Sequence, residues 1–225
     1  MPRDFLPAFN VAANLGFAKG VLLLDDCEGT FTWTVGGTGG DDVHEYAAVA
    51  AFMGLNGMRL KTRTTGAAAD DNVFVSKVFG FPESGLVVAR MRWASPDPTK
   101  IKSVRLNLWV DNGVRDWQAG GRLLPNTPEF DYYTPAGAWQ AVASMAFGVS
   151  ALEFVTMELV VDCRAMGLLE VANNGVRTQL SGVGLYDNGA YTNRRCAVAI
   201  MVYAIGANPA EMYVDHVYVG EFLGA

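Results

Sequence analysis

From residue 20 to its end, the chain is a succession of short runs rich in β-branched and aromatic residues, each closed by glycine, asparagine, aspartate or proline. MRLKTRT (58–64) alternates strictly, with Met58, Leu60, Thr62 and Thr64 against Arg59, Lys61 and Arg63. SVRLNLWV repeats the pattern with Val104, Leu106, Leu108 and Val110. A period of two belongs to a strand with one buried face. ANNGVR places Asn174-Gly175 between LLEV and VRTQL, and Asn-Gly supplies the positive φ angles of a type I′ hairpin turn. About twelve such runs, with no alternation of strand and long amphipathic helix, predict an all-β fold, a two-sheet antiparallel β-sandwich. EYAAVAAFMG (45–54) and AWQAVASMAF (138–147) are read as strands. The segments 111–122 and 185–195 and the proline-bearing 122–139 are read as loops.

A chain of 225 residues can close one core of this kind. The expected organisation is a single sandwich over residues 20–225, preceded by an extended arm over 1–19 that carries Phe5, Leu6 and Phe9 and packs on its own body or on a neighbour. Hydrophobic residues make up 51% and charged residues 18%, which argues against disorder and for a surface that is in good part either small and neutral or covered by a partner. A net charge of −6 with no basic run beyond Arg194-Arg195 gives no footprint for nucleic acid. No stretch is long and apolar enough to span a bilayer, and the first residues do not read as a secretory signal, so the expectation is no membrane and synthesis in a cytoplasm. Cys27, Cys163 and Cys196 form no C-x-x-C pair and are expected to be buried free thiols.

One carboxylate stands out. In MYVDHVYVGEF (212–222), simple alternation puts Tyr213, Asp215, Val217, Val219 and Glu221 on one face, and neither face is cleanly apolar. Asp215 must therefore be solvent-facing, hydrogen-bonded or bound to a cation. DNGVRDWQAGGR holds Trp117 and Arg122, and LYDNGAYTNRR holds Tyr186, Asp187 and Tyr191. Each combines aromatic, acidic, amide and arginine side chains, the mix of a sugar site and equally of a protein interface. Trp33, Trp93 and Trp109 lie inside strand patterns and are expected in the core. The serine-hydrolase, zinc-protease and phosphate-loop strings are missing. Glu158 and Asp162 share a strand face at a spacing that suits an inverting pair better than a retaining one, and the commoner reading is a solvated strand face.

LLLDDCEGTFTWTVGG resembles the opening strand of jelly-roll carbohydrate-binding modules and concanavalin-like sandwiches, and YVDHVYVGEF resembles their last strand. The segment AWQAVASMAFGVSALEFVTMELVVDCRAMGLLEVANNGVRTQL is similar to the concanavalin-like stretch in which a Trp opens one strand and VVD closes the next. In some such modules the opening acid and a last-strand Asp share a structural calcium. The resemblance would place it at Glu28 and Asp215, with Asp25 and Asp26 nearby; hydrogen bonds to loop amides are the other reading. The two-glutamate string of concanavalin-like glycosidases is missing, so the expectation is no enzyme. Such sandwiches recur among phage capsid-decorating proteins, and the favoured reading is a non-catalytic virion subunit, made in a host cytoplasm, with self-assembly or capsid partners. The alternative is an extracellular carbohydrate-binding module or lectin-like protein, with a glycan as partner.

Overall fold

The computed structural model describes residues 18–52, 54–82, 84–145 and 148–222. Phe5 and Phe9, with most of the expected arm, lie outside them. Sixteen strands follow one another among the described residues. They are β1 (Ala18–Asp25), β2 (Thr34–Gly37), β3 (Val43–Ala47), β4 (Gly57–Lys61), β5 (Asn72–Phe79), β6 (Leu86–Ala94), β7 (Ile101–Asn112) and β8 (Arg115–Leu124). After them come β9 (Glu129–Tyr133), β10 (Trp139–Ala141), β11 (Val155–Asp162), β12 (Gly167–Asn173), β13 (Val176–Gly184), β14 (Tyr186–Ala190), β15 (Arg194–Ala204) and β16 (Glu211–Phe222).

Two antiparallel sheets form. The first runs β13-β12-β11-β6-β16-β4-β3, with β1 also on β16, and the second runs β10-β9-β8-β7-β15-β5-β2, with β14 also on β8. Their apolar faces meet in one core, where Leu60, Val104, Leu106, Leu108, Val110, Leu159, Val198 and Ile200 are completely buried. The fold is the expected all-β, two-sheet antiparallel sandwich. The Asn174-Gly175 hairpin joins β12 to β13, with both residues at positive φ.

Two local readings change. EYAAVAAFMG is strand only to Ala47, then a 3₁₀ turn over Ala48–Ala50, and AWQAVASMAF is strand only over Trp139–Ala141, followed by a second such turn. Alanine-rich stretches lack the β-branched bulk that holds a strand to its neighbours. Conversely, the expected loops at 111–122 and 185–195 supply β8 and β14, and 122–139 supplies β9. In β8, a Cβ at Gly120 would stand 2.7 Å from Asn107 Oδ1, and one at Gly121 would stand 2.9 Å from Phe130 Cζ. The glycines mark close packing on both faces of a strand.

Asp215 also finds its explanation in the sheet. On one edge β16 pairs with β4 through Glu211–Val214 and then with β1 through Val217–Phe222. On its other edge the register with β6 shifts between Val214 and His216, a β-bulge with Asp215 as the extra residue. Met212 and Val214 face the core before the bulge, and Val217 and Val219 face it afterwards. Alternation changes phase at one residue, so no single face of the sequence pattern was apolar.

Candidate functional site

Because Val104, Leu106, Leu108 and Val110 of β7 face the core, Ser103, Arg105, Asn107, Trp109 and Asp111 project from the outer face of the second sheet. This face is polar but far from fully solvated: Ser103, Asn107 and Asp111 are almost completely buried. Ser103 Oγ, Arg105 Nε, Asn107 Oδ1 and Asp111 Oδ2 have no hydrogen-bond partner among the described residues. Buried polar atoms normally find partners in protein or in ordered water, so a stripe of unsatisfied ones along a single strand sets this face apart.

At one end of the stripe lies a cavity of about 110 Å³ lined by Trp109, Asp111, Asp116, Tyr191, Arg195 and Ala197. Strand register makes the set: Asp111 of β7 lies directly opposite Asp116 of β8 on one side and Arg195 of β15 on the other. Asp111 Oδ1 accepts the Gly113 amide at 3.0 Å, leaving Oδ2 without a protein partner. Asp116 accepts the Asn188 side-chain amide at 3.2 Å. Burial and the nearby Asp111 carboxylate raise the Asp116 carboxyl above its ordinary value, against the lowering effect of Asn188 and Arg195. Arg195 donates to the Tyr191 hydroxyl, and its guanidinium stands 5.2 Å from that ring's centroid.

Farther along the same face an aromatic chain runs from Trp139 to Tyr133 to Tyr186, with ring centroids 4.8 and 5.2 Å apart. Arg105 and Arg122 both stand against the Trp139 ring. Arg122 and Tyr186 are thus brought to one region and Tyr191 to the cavity. Asp187 instead forms an ion pair with Arg115 at 2.5 Å and accepts the Gly189 amide. Trp117 is not an exposed platform, because it points to the core side of β8, partly buried. Trp109, expected in the core, lines the cavity, whereas Trp33 and Trp93 are buried as expected.

The metal set reads differently in three dimensions. Glu28 Oε1 accepts the Leu55 and Asn56 amides at 2.5 and 3.2 Å, Asp215 Oδ1 accepts the Phe52 amide at 3.0 Å, and Asp26 Oδ1 accepts the Glu28 amide at 3.2 Å. Glu28 and Asp215 thereby clamp one loop between the first and last strands. Among the described residues, no group of three or more His, Cys, Asp or Glu side chains could hold a metal ion. Glu158 and Asp162 do not form a reactive pair. Glu158 is bound on the first sheet by Arg90 and Arg177, at 2.7 Å from Arg177, and Asp162 accepts the Arg164 and Ala165 amides.

Sequence reasoning missed Asp111, Asp116, Trp109, Arg195 and Arg105 as a set. The signal was in SVRLNLWVD itself: the residues between its buried aliphatics are Arg105, Asn107, Trp109 and Asp111. Which neighbouring strands complete the set depends on strand order, which no local pattern carries.

No family model and no curated protein matches the chain. Solved structures do. An endo-β-1,4-glucuronan lyase from the fungus Trichoderma reesei superposes with a TM-score of 0.61 at 14% identity, over 89% of this chain and 95% of that one. A cellulose-induced protein gives 0.57 at 14% identity, over 90% and 99%. A protein described as a conserved carbohydrate esterase from a Shiga toxin-encoding bacteriophage gives 0.57 at 13% identity, over 91% and 99%. At these identities the likeness establishes the fold. It also overturns the expectation that the chain is no enzyme. That expectation rested on a missing one-strand string, and the same sandwich is shared over nearly its whole length with a lyase. Catalytic groups can be gathered across strands as readily as along one.

Proposed function

We propose that the chain is a carbohydrate-active enzyme that binds a glycan along the outer face of its second sheet and cleaves it at the Asp111–Asp116 cavity. The observation that carries this reading is the carboxylate pair itself, opposed across β7 and β8 and lining one cavity with Trp109. Directly opposed residues of an antiparallel pair have Cβ atoms about 5 Å apart. This suits the roughly 5–5.5 Å carboxyl spacing of a retaining glycosidase better than the wider inverting arrangement. Asp116, held above its ordinary value, protonates the departing glycosidic oxygen while Asp111 Oδ2 attacks the anomeric carbon. Water, deprotonated by Asp116, then releases the sugar from Asp111. The fold likeness to proteins described as a glucuronan lyase and a carbohydrate esterase supports a glycan as substrate.

The Arg195–Tyr191 hydrogen bond favours a second reading, β-elimination with the Tyr191 oxygen as base. One assay separates the two. Screened on polysaccharides, the hydrolase releases reducing ends without an ultraviolet-absorbing unsaturated product, with the anomeric configuration retained by NMR. Asp111→Asn and Asp116→Asn each lower kcat by at least about 100-fold, and wild-type activity falls as the pH rises through the Asp116 value. Full activity in both variants overturns the hydrolytic reading, and an unsaturated product lost in Tyr191→Phe establishes elimination instead.

A further inference from the structure

The outer face of β7 extends about 20 Å from Arg105 to Asp111, at roughly 3.3 Å per residue, and the cavity occupies only the aspartate end. At the other end Arg105 is partly buried between two rings, its Cζ 3.9 Å from the Tyr203 centroid and 5.2 Å from that of Trp139. It donates to the Tyr203 hydroxyl at 3.3 Å, and its Nε is buried without a partner. Among the described residues no carboxylate forms an ion pair with it. Arg122, directly opposite on β8, stands 4.8 Å from the same Trp139 ring and is paired with Asp131. Two guanidiniums thus share one indole, and the one carboxylate there, Asp131, is paired with Arg122. Burial, opposed by Tyr203 and reinforced by the charge of Arg122, holds Arg105 below its ordinary value.

A partly desolvated cation without a counter-ion is unfavourable by itself, and it becomes favourable when a ligand supplies the missing charge. The planar fork of an arginine matches an oxyanion with two acceptor oxygens. We propose that Arg105 and Arg122 form a subsite for an anionic group carried by the glycan, so that the chain takes acidic rather than neutral polysaccharides. This rests on the reading of the sheet face as a glycan groove. A uronate carboxylate and a sulfate ester share the chemistry required.

The test is calorimetric titration of the full chain with an oligoglucuronate, a glucose oligomer of the same length and a sulfated glucose oligomer. The expected result is that at least one anionic oligomer binds about 10-fold or more tightly than the neutral one, and that added salt weakens this preference. The tighter of the two anions identifies the group. In Arg105→Met the preference disappears while binding of the neutral oligomer and the melting temperature hold. Arg105→Lys, which keeps the charge and loses the fork, serves if the methionine variant does not fold, and it binds the anion more weakly than wild type. Equal wild-type affinity for all three oligomers, or undiminished anion preference in the folded variant, overturns the proposal. Asp111→Asn separates this subsite from the cleavage reading: it retains the anion preference whether or not Asp111 acts in catalysis.

Discussion

Asp25 gathers four donors from around the fold. At the end of β1 it receives the Trp33 indole at 2.6 Å, the Tyr46 hydroxyl at 2.7 Å, the Cys27 amide at 2.9 Å and the Lys77 ammonium at 3.2 Å. Burial pushes its carboxyl up, but these four donors outweigh it and leave the value below the ordinary one. Because the folded value is depressed, the stability Asp25 contributes is complete above the unfolded value near 3.9 and is lost as the pH falls through the folded value. Asp25→Asn should therefore cost about 2 kcal/mol at neutral pH. The melting temperature of the variant should also fall less steeply than that of wild type below about pH 4, as read by thermal unfolding across a pH series. A wild-type slope in the variant would place the acid sensitivity elsewhere. Asp25 drew notice in the sequence only as a neighbour of Glu28, since its donors come from three other segments.

At the scale of elements, β8 decides the character of the outer face. One of its edges is divided between β9, paired through Gly121–Leu124, and β14, paired through Arg115–Gln118. At the division Gly120 leaves room for Asn107, Trp139 and Tyr133, which a Cβ would meet at 2.7, 3.2 and 3.3 Å. Gly120→Val should cost about 1–3 kcal/mol by overpacking and weaken glycan binding by displacing Trp139 and Asn107, as measured by chemical denaturation and titration together. The long strands β7, β15 and β16 were legible in the sequence, because each carries enough β-branched residues to declare a buried face. β8, β9 and β14 were not. Their residues are glycines, acids and aromatics whose strand conformation is imposed by neighbours distant in sequence, and those strands supply Asp116, Arg122, Tyr133 and Tyr186 to the candidate site.

At the scale of the whole molecule, the two sheets close over a single core that includes all three cysteines. Cys27, Cys163 and Cys196 are buried free thiols, as expected, with at most 1% exposure. Burial raises the Cys27 thiol above its ordinary value. For Cys163 the main cause is its hydrogen bond to Cys196, with burial next. Protonated, enclosed thiols do not attack disulfides. An aromatic disulfide reagent should therefore leave the native protein unmodified and label all three cysteines together at the rate of global unfolding, followed by absorbance at increasing denaturant. One cysteine reacting early would show that its part of the sandwich opens alone.

The bulge at Asp215 gives the closing strand one residue more than its pairing with β6 uses. Substituting Asp215 removes a carboxylate from the Phe52 amide and leaves every other side chain on its own side. Removing the residue would leave regular alternation, with Met212, Val214, Val217 and Val219 still on one face and the pairing with β6 continuous from Val214 to His216. What the extra residue contributes is therefore the placing of a carboxylate against the Phe52 amide, not the inward face of the strand.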